Sequence, residues 1–235
     1  MIRTLVIAGG LAIATLFFQA AGPPEKPAPN LHHEMLRAAR TGNLPAVKAL
    51  EKKGIDFEHG YPPSQKPIQV AAHAGHLEMV RYMVSRGADP SIRSENGKTP
   101  IHYACIMGQT EMVRYLLELG ASIEDQDANN RTPLHFAAEF GNPNLVRLLL
   151  DRKADVNHPG RRGYTPLHHA VRMKHLDVAK LLVEAGADLS AETKEGETPR
   201  AIAERTGQKQ MAVYLKRMEV TGSRPSSGAP AKPSP

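Results

Sequence analysis

A Thr-Pro dipeptide returns every 33 residues along this chain of 235 residues. Its four copies begin at Thr99, Thr132, Thr165 and Thr198, and one further interval back reaches Lys66, which also precedes a proline. A fixed period of this length indicates a repeat architecture, in which each unit buries its apolar face only by stacking on its neighbours. Such a stack needs few large aromatic residues, and this chain has 5% aromatics and no tryptophan.

The residues around each dipeptide predict the start of a helix. The Thr132 hydroxyl is suited to accept a hydrogen bond from a free backbone N–H in the first turn. Pro133 occupies the first helical position, where its missing N–H costs nothing. Ala137 and Ala138 are small enough for a neighbouring helix to approach closely, and Gly141 can adopt the left-handed conformation that ends a helix.

A second helix is predicted in every unit, because apolar residues return there at the i, i+3 and i+4 spacing of one buried face. Lysine stands at two helix-ending positions where glycine is expected, Lys153 and Lys174. A left-handed lysine would be strained, so we expect either an adjusted turn or looser packing at these two positions. Glycine follows most of the second helices, at Gly54, Gly87, Gly120 and Gly186.

The run Thr-Pro-Leu-His-x-Ala, which begins at Thr132 and again at Thr165, resembles the ankyrin repeat. The resemblance covers residues 31–218. It implies an all-α, ankyrin-repeat solenoid of about six helix-turn-helix repeats, with β-hairpin fingers between them. The first and last copies are charged on the side that would face away from the stack, as terminal repeats must be, so we expect a monomer.

The first 22 residues are predicted to be an export signal. Arg3 supplies a positive charge, Thr4–Phe18 is almost wholly apolar, and Gln19–Gly22 supplies small residues for cleavage. The apolar run is short for a membrane span, which needs roughly 20 residues. Because Gln19 departs from the usual cleavage pattern, an uncleaved N-terminal membrane tether is the alternative. Residues 23–30 are predicted to be a Pro-rich linker, and residues 219–235 a disordered Pro/Ser/Gly tail.

The cysteine content favours a particular compartment. Cys105 is the only cysteine, so no intramolecular disulfide can form. Secreted eukaryotic domains usually carry several disulfides, so an export signal on this chain favours the bacterial periplasm. Cys105 lies on the packed face of a first helix, and a buried structural thiol is expected there.

Histidine is the first candidate for catalytic or metal chemistry, with 11 in the chain. His102, His135 and His168 share the motif position three residues after the Thr, and the resemblance implies that this imidazole braces the turn. His168 and His169 point about 100° apart on a helix, so they do not form a metal-binding pair. No nucleophile motif or phosphate loop is present. We therefore predict no enzymatic activity, no metal and no cofactor.

Two further groups of charged residues have structural explanations. Glu124, Asp125 and Asp127 fall in a hairpin segment and are expected to be solvated turn residues. The formal net charge of +6 raises nucleic-acid binding as a second functional class. However, the basic residues are scattered over the outer sides of second helices, and no series of base-stacking aromatic residues accompanies them. No nucleic-acid partner is expected.

The resemblance implies that a partner binds the concave face, which the hairpin tips and the exposed ends of the first helices form. Folding requires no apolar residue at these positions, yet apolar residues and arginines concentrate there, and both types are enriched at interfaces. The predicted partner-binding residues are Ile106, Met107, Arg131, Phe140, Arg161, Arg162, Tyr164, Arg172 and Met173.

These features predict a protein-binding module in the bacterial periplasm. The leading hypothesis is a protein that binds and inhibits an exported enzyme, such as a peptidoglycan hydrolase, for immunity or self-protection. One alternative is a membrane-tethered scaffold or chaperone that supports a periplasmic enzyme. Another is a secreted effector that binds host proteins.

Overall fold

The computed structural model describes residues 29–59, 61 and 66–222, which form six successive helix–loop–helix units. The first helices are α1 (Pro29–Thr41), α3 (Pro67–Ala74), α5 (Pro100–Ile106), α7 (Pro133–Glu139), α9 (Pro166–Arg172) and α11 (Pro199–Arg205). The second helices are α2 (Leu44–Lys52), α4 (Leu77–Ser85), α6 (Thr110–Glu118), α8 (Pro143–Asp151), α10 (Leu176–Glu184) and α12 (Lys209–Thr221). Each first helix packs on its own second helix and on the first helices of adjacent units. The predicted all-α solenoid is confirmed.

The helical domain extends beyond its predicted bounds at both ends. Helix α1 begins at Pro29, so the prediction of an extended linker is wrong for residues 29 and 30. Helix α12 continues to Thr221, and Gly222 follows it in the left-handed conformation. The predicted export signal, the rest of the linker and residues 223–235 of the predicted tail lie outside the described residues. No helix in the described ranges has the length and apolarity needed to cross a bilayer.

The core is a continuous row of small and branched side chains along the stack. Ala137 and Ala138 of α7 are fully buried, and so are Ala170 and Val171 at the equivalent positions of α9. These small residues let neighbouring first helices pack closely. Cys105 holds the same position in α5 and is also fully buried, and burial raises the pKa of its thiol. The prediction of a structural thiol is therefore confirmed.

A polar side chain near the start of four first helices, histidine in three of them and glutamine in the fourth, connects two units. Thr132 and His135 form a capping box, in which the Thr132 backbone N–H donates to His135 Nδ1 at 3.1 Å. Because Nδ1 accepts this bond, Nε2 carries the proton and donates to the carbonyl of Tyr164 in the next unit, at 3.1 Å. The same bond to a carbonyl 29 residues ahead joins Gln69 to Lys98, His102 to Arg131 and His168 to Glu197. The predicted bracing role of these histidines is confirmed.

The fingers between units are hydrogen-bonded turns. The four described fingers are residues 94–98, 127–131, 160–164 and 193–197. In each, the first residue's N–H donates to the last residue's carbonyl, as Asp127 does to Arg131 at 3.0 Å. Adjacent fingers are joined by one backbone bond, such as Arg161 N–H to the Asn129 carbonyl at 2.7 Å. No β-strand occurs among the described residues, so the paired strands that the resemblance implied are absent from these fingers.

Asp127 supports its finger from inside, which corrects the prediction of a solvated turn residue. Its side chain is fully buried, and Oδ1 accepts the backbone N–H groups of Asn129 and Arg131 at 2.8 and 3.0 Å. Burial opposes ionisation, but these hydrogen bonds and the Arg131 guanidinium outweigh it and lower the pKa of Asp127. Asp125 is also engaged, in an ion pair with Arg93 at 2.9 Å.

The two unusual lysines keep the left-handed turn. Lys174 has φ of +67°, within the range of +66° to +81° of the glycines at matching positions, whereas Lys153 has φ of +68°, below the +84° to +95° of its glycine counterparts. The turn stays left-handed at both positions, so each lysine carries the strain of a left-handed L-residue.

Replacing Lys153 and Lys174 together by glycine is expected to raise the free energy of unfolding by about 1–2 kcal/mol. The left-handed strain is about 1–2 kcal/mol per site, and the added freedom of glycine in the unfolded chain offsets about 0.4–1 kcal/mol of it. Urea denaturation measures the change. The opposite substitution, Gly141→Ala at the position that matches Lys174, should destabilise, because the new Cβ would lie 2.5 Å from the His175 ring. Unfolding of the double glycine variant at a lower urea concentration would contradict the strain.

Candidate functional site

Four arginines surround an open hollow of about 250 Å³ where two fingers meet helix α9. We term it the arginine hollow. Asn129 and Arg131 come from the finger 127–131, and Arg161, Arg162 and Tyr164 from the finger 160–164. His169 and Arg172 come from α9. The structure therefore brings together five of the predicted partner-binding residues, and the lining residues are Asn129, Arg131, Arg161, Arg162, Tyr164, His169 and Arg172.

Glu139, at the end of α7, holds two of these arginines in place. Its carboxylate oxygens accept from Arg131 at 3.0 Å and from Arg172 at 3.2 Å. The Arg131 guanidinium also pairs with Asp127 at 3.0 Å and stacks over the Phe136 ring, 4.2 Å from its centre. The Arg131 side chain is thus only about one-fifth exposed and forms a fixed wall of the hollow.

Arg161 and Arg162 are the uncommitted cations of the hollow. Both side chains are exposed. Arg161 donates to the neutral amide of Asn129 at 3.2 Å, and Arg162 lies 3.7 Å from Glu195, which is itself about half exposed. Among the described residues, none that lines the hollow carries a carboxylate. Its surface therefore carries positive charge that an anionic group can compensate.

The finger 160–164 has an unusual backbone. The other three fingers begin with Ser94, Asp127 or Thr193, whose side-chain oxygens accept backbone N–H groups of the same finger. This finger begins with Gly160, where an added Cβ would lie 3.0 Å from the Tyr164 carbonyl and 3.1 Å from the His135 ring. Arg162 then adopts φ of +63°, within a short 3-10 turn.

His169 forms the base of the hollow and is neutral. Only 5% of it is exposed, and its ring centre lies 5.5 Å from that of His135 and 5.7 Å from that of Tyr164. Burial, together with His135 and Arg172, lowers its pKa to about 2. A neutral imidazole leaves the positive charge of the hollow to the arginines. Within residues 29–59, 61 and 66–222, no cluster of three His, Cys, Asp or Glu side chains is arranged to hold a metal ion.

The predicted apolar residues form a separate group. Met107, Phe140 and Met173 directly follow α5, α7 and α9, and they are 50%, 48% and 46% exposed. We term them the apolar trio. Because these three helices pack side by side at roughly 8–10 Å, the trio is repeated along the stack. Ile106 ends α5 and packs partly against the core. Neither Ile106 nor any residue of the trio lines the arginine hollow.

Three residues that shape the hollow are not among the predicted partner-binding residues. Asn129 and His169 line it, and Glu139 fixes two of its arginines. A signal for Glu139 exists, because its position holds isoleucine in the preceding unit and arginine in the next. An acid at that position, flanked by fingers rich in arginine, is a candidate for an ion pair.

A family model described as ankyrin repeats in three copies matches residues 35–127 and again residues 120–193. The two matches together span more than half of the chain. No curated protein matches it.

The domain is expected to lose stability as the pH falls from 7 to 5. Burial lowers the pKa of His135 to about 4, and the pKa values of His102 and His168 fall for the same reason. A histidine with a depressed folded pKa stabilises the fold above its unfolded pKa of about 6.5, and this contribution is lost as the pH falls towards the folded pKa. His135 alone should contribute about 2 kcal/mol to the difference, measured by urea denaturation at both pH values.

His135→Gln is the matched variant for this prediction. Gln69 makes the equivalent bonds in an earlier unit, accepting from the Lys66 N–H at 3.0 Å and donating to the Lys98 carbonyl at 3.1 Å. Glutamine does not titrate, so this variant should fold and show a smaller loss between pH 7 and 5. Equal stability of the unsubstituted protein at the two pH values would refute the neutral, buried state of these histidines.

Proposed function

The chain belongs to the ankyrin-repeat family, which makes it a protein-binding module, and we propose that it inhibits an exported enzyme in the bacterial periplasm. The enzyme class that fits a self-protection role is a peptidoglycan hydrolase. The partner binds on the face that carries the apolar trio and the arginine hollow.

The observation that carries this proposal is the exposure of the apolar trio. Met107, Phe140 and Met173 are each about half exposed, although they follow helices whose other apolar residues are mostly buried. Repeated exposed apolar side chains mark contact sites, and methionine and phenylalanine are enriched in interface cores. The trio stands on packed helices whose starts the histidine bonds hold, so binding would order few additional groups.

The periplasmic location is supported by the sequence. The apolar segment after Arg3 has the length and flanks of an export signal, and the chain carries a single, buried cysteine. A chain without disulfides can reach its native state in the periplasm with no oxidation step. A partner there must itself be exported.

Inhibition is the simplest consequence of one-to-one binding by a rigid, inert surface. The face with the trio also bears the fingers, which are short turns held by backbone bonds and by the histidines below them. An enzyme whose cleft is covered by such a face loses access to a polymeric substrate. A scaffold would instead leave the cleft open, so the two roles differ in the activity of the bound enzyme.

The test is a comparison of two double variants of the full-length chain against a periplasmic extract. Phe140→Ser with Met173→Ser removes two exposed residues of the trio. Hot-spot residues contribute about 2 kcal/mol each, so loss of both should lower the affinity for the captured enzyme by roughly 1,000-fold. The control is Val213→Ser with Val220→Ser, which changes two exposed apolar residues of α12 and should leave affinity unchanged.

The activity of the captured enzyme decides the role. The proposal predicts that the purified chain lowers this activity and that the trio variant does not. A rise in activity would replace inhibition with the scaffold hypothesis. Capture of nothing from the periplasmic extract, with capture of a protein from a host-cell lysate, would replace it with the effector hypothesis. Equal capture by the two double variants would reject the trio as the binding surface.

A further inference from the structure

We propose that the arginine hollow is an acid-recognition subsite, which takes a pair of aspartate or glutamate side chains from an acidic segment of the partner. The inference rests on the proposed function only in taking a protein as the partner. It assigns a chemistry to a part of the surface that the apolar trio does not include.

The charge balance of the hollow sets the number of carboxylates. Asp127 and Glu139 pair with Arg131 and Arg172 and offset their charges. Arg161 contacts the neutral amide of Asn129, and no carboxylate in the described part of the chain pairs with it. Arg162 has only an exposed contact with Glu195 at 3.7 Å, which solvent screens. Two positive charges therefore remain at the rim, and two carboxylates would balance them.

The geometry of the hollow suits carboxylates. A guanidinium offers planar pairs of N–H donors, which match the two oxygens of a carboxylate. Arg172 lies over the Tyr164 ring at 5.3 Å while one of its nitrogens donates to Glu139. These contacts position Arg172 before a ligand binds, although its side chain is 44% exposed, and Arg161 and Arg162 are the main side chains to be ordered on binding. Less ordering means that more of the interaction energy appears as affinity.

The backbone at Arg162 provides an independent observation. Its counterparts in the other fingers are Asn96, Asn129 and Glu195, none of which has positive φ. Only at Arg162 does this position adopt the left-handed conformation, which suits glycine or asparagine better than arginine. Strained backbone of this kind clusters at ligand-binding and active sites. The function inferred here is the placement of two adjacent arginine side chains beside Arg131 and Arg172.

The hollow does not have the features of a nucleic-acid site. A strand of nucleic acid needs a groove of positive charge that follows successive phosphates, with aromatic rings for its bases. The hollow is a single depression of about 250 Å³. Its one Tyr ring is covered by Arg172 and by the rings of His168 and His169, so it offers no face for stacking.

The test uses a short peptide, acetylated and amidated, with two adjacent aspartates among glycine and serine residues. Its matched probe carries two asparagines instead. In the full-length chain, labelled with ¹⁵N and ¹³C, the arginine Nε–Hε signals report contact even when binding is weak. The aspartate peptide should shift the signals of Arg161, Arg162 and Arg172, and the asparagine peptide should shift none of them. A third peptide, with a free C-terminal carboxylate and no aspartate, should bind more weakly than the aspartate peptide.

Two charge-matched double variants locate the site. Arg161→Gln with Arg162→Gln should weaken binding of the aspartate peptide by about tenfold or more, because both rim cations are lost. Arg147→Gln with Arg152→Gln lowers the net charge by the same two units at exposed residues in and after α8, and should leave binding unchanged. Arg162→Gly keeps a residue suited to the left-handed turn and removes one guanidinium, so it should cause a smaller loss than the first double variant.

Several results would overturn the inference. They are equal binding of the aspartate and asparagine peptides, equal loss in both double variants, or preferential binding of an oligonucleotide. The variants of the apolar trio distinguish failure of this inference from failure of the proposed function. Partner capture that depends on Phe140 and Met173 without any binding of the aspartate peptide would leave the proposed function standing and remove the subsite. Binding of the aspartate peptide, together with partner capture that the Phe140 and Met173 substitutions do not change, would keep the subsite and reject the trio as the binding surface.

Discussion

The bond from a helix-start imidazole to the carbonyl of the next finger holds the stack in register. In the central unit, His135 accepts from the Thr132 N–H and donates to the Tyr164 carbonyl, so one side chain fixes a helix start and a finger end. Gln69 makes the same pair of bonds, which shows that the requirement is an acceptor and a donor at the right separation. Burial keeps His135 neutral near pH 7, and only the neutral ring can accept at Nδ1 while donating at Nε2.

The same finger residues link this bond to the candidate site. Arg131 and Tyr164 each give their carbonyl to a histidine of the preceding unit, while their side chains line the arginine hollow. The position of the hollow therefore depends on bonds made by the scaffold. Glu139 also fixes the positions of the arginines, because its carboxylate pairs with Arg131 of one unit and with Arg172 of the next. A partner would meet a surface whose charged groups are largely placed in advance.

Much of the fold could be predicted because each signal is local and is repeated. Thr-Pro marks a helix start, glycine marks an end, and the histidine three residues after Thr has one role throughout. The site was predictable only in part, because neighbouring units decide which side chains remain free. Asp127 is buried under its own finger, and Ile106 packs partly against the core. The third residue is left-handed at Arg162 but not in the other three described fingers, so the repeat pattern could not reveal this conformation.

Site-specific photo-cross-linking at Phe140 tests most directly whether this face contacts a protein. A photoreactive amino acid replaces Phe140 in the full-length chain, in cells that produce the protein natively, and the control carries it at the exposed Arg147 of α8. The predicted result is one discrete adduct with an exported protein from the Phe140 position and none from the Arg147 position. Adducts of equal yield from both positions, or none from either, would contradict binding on the face that carries the apolar trio.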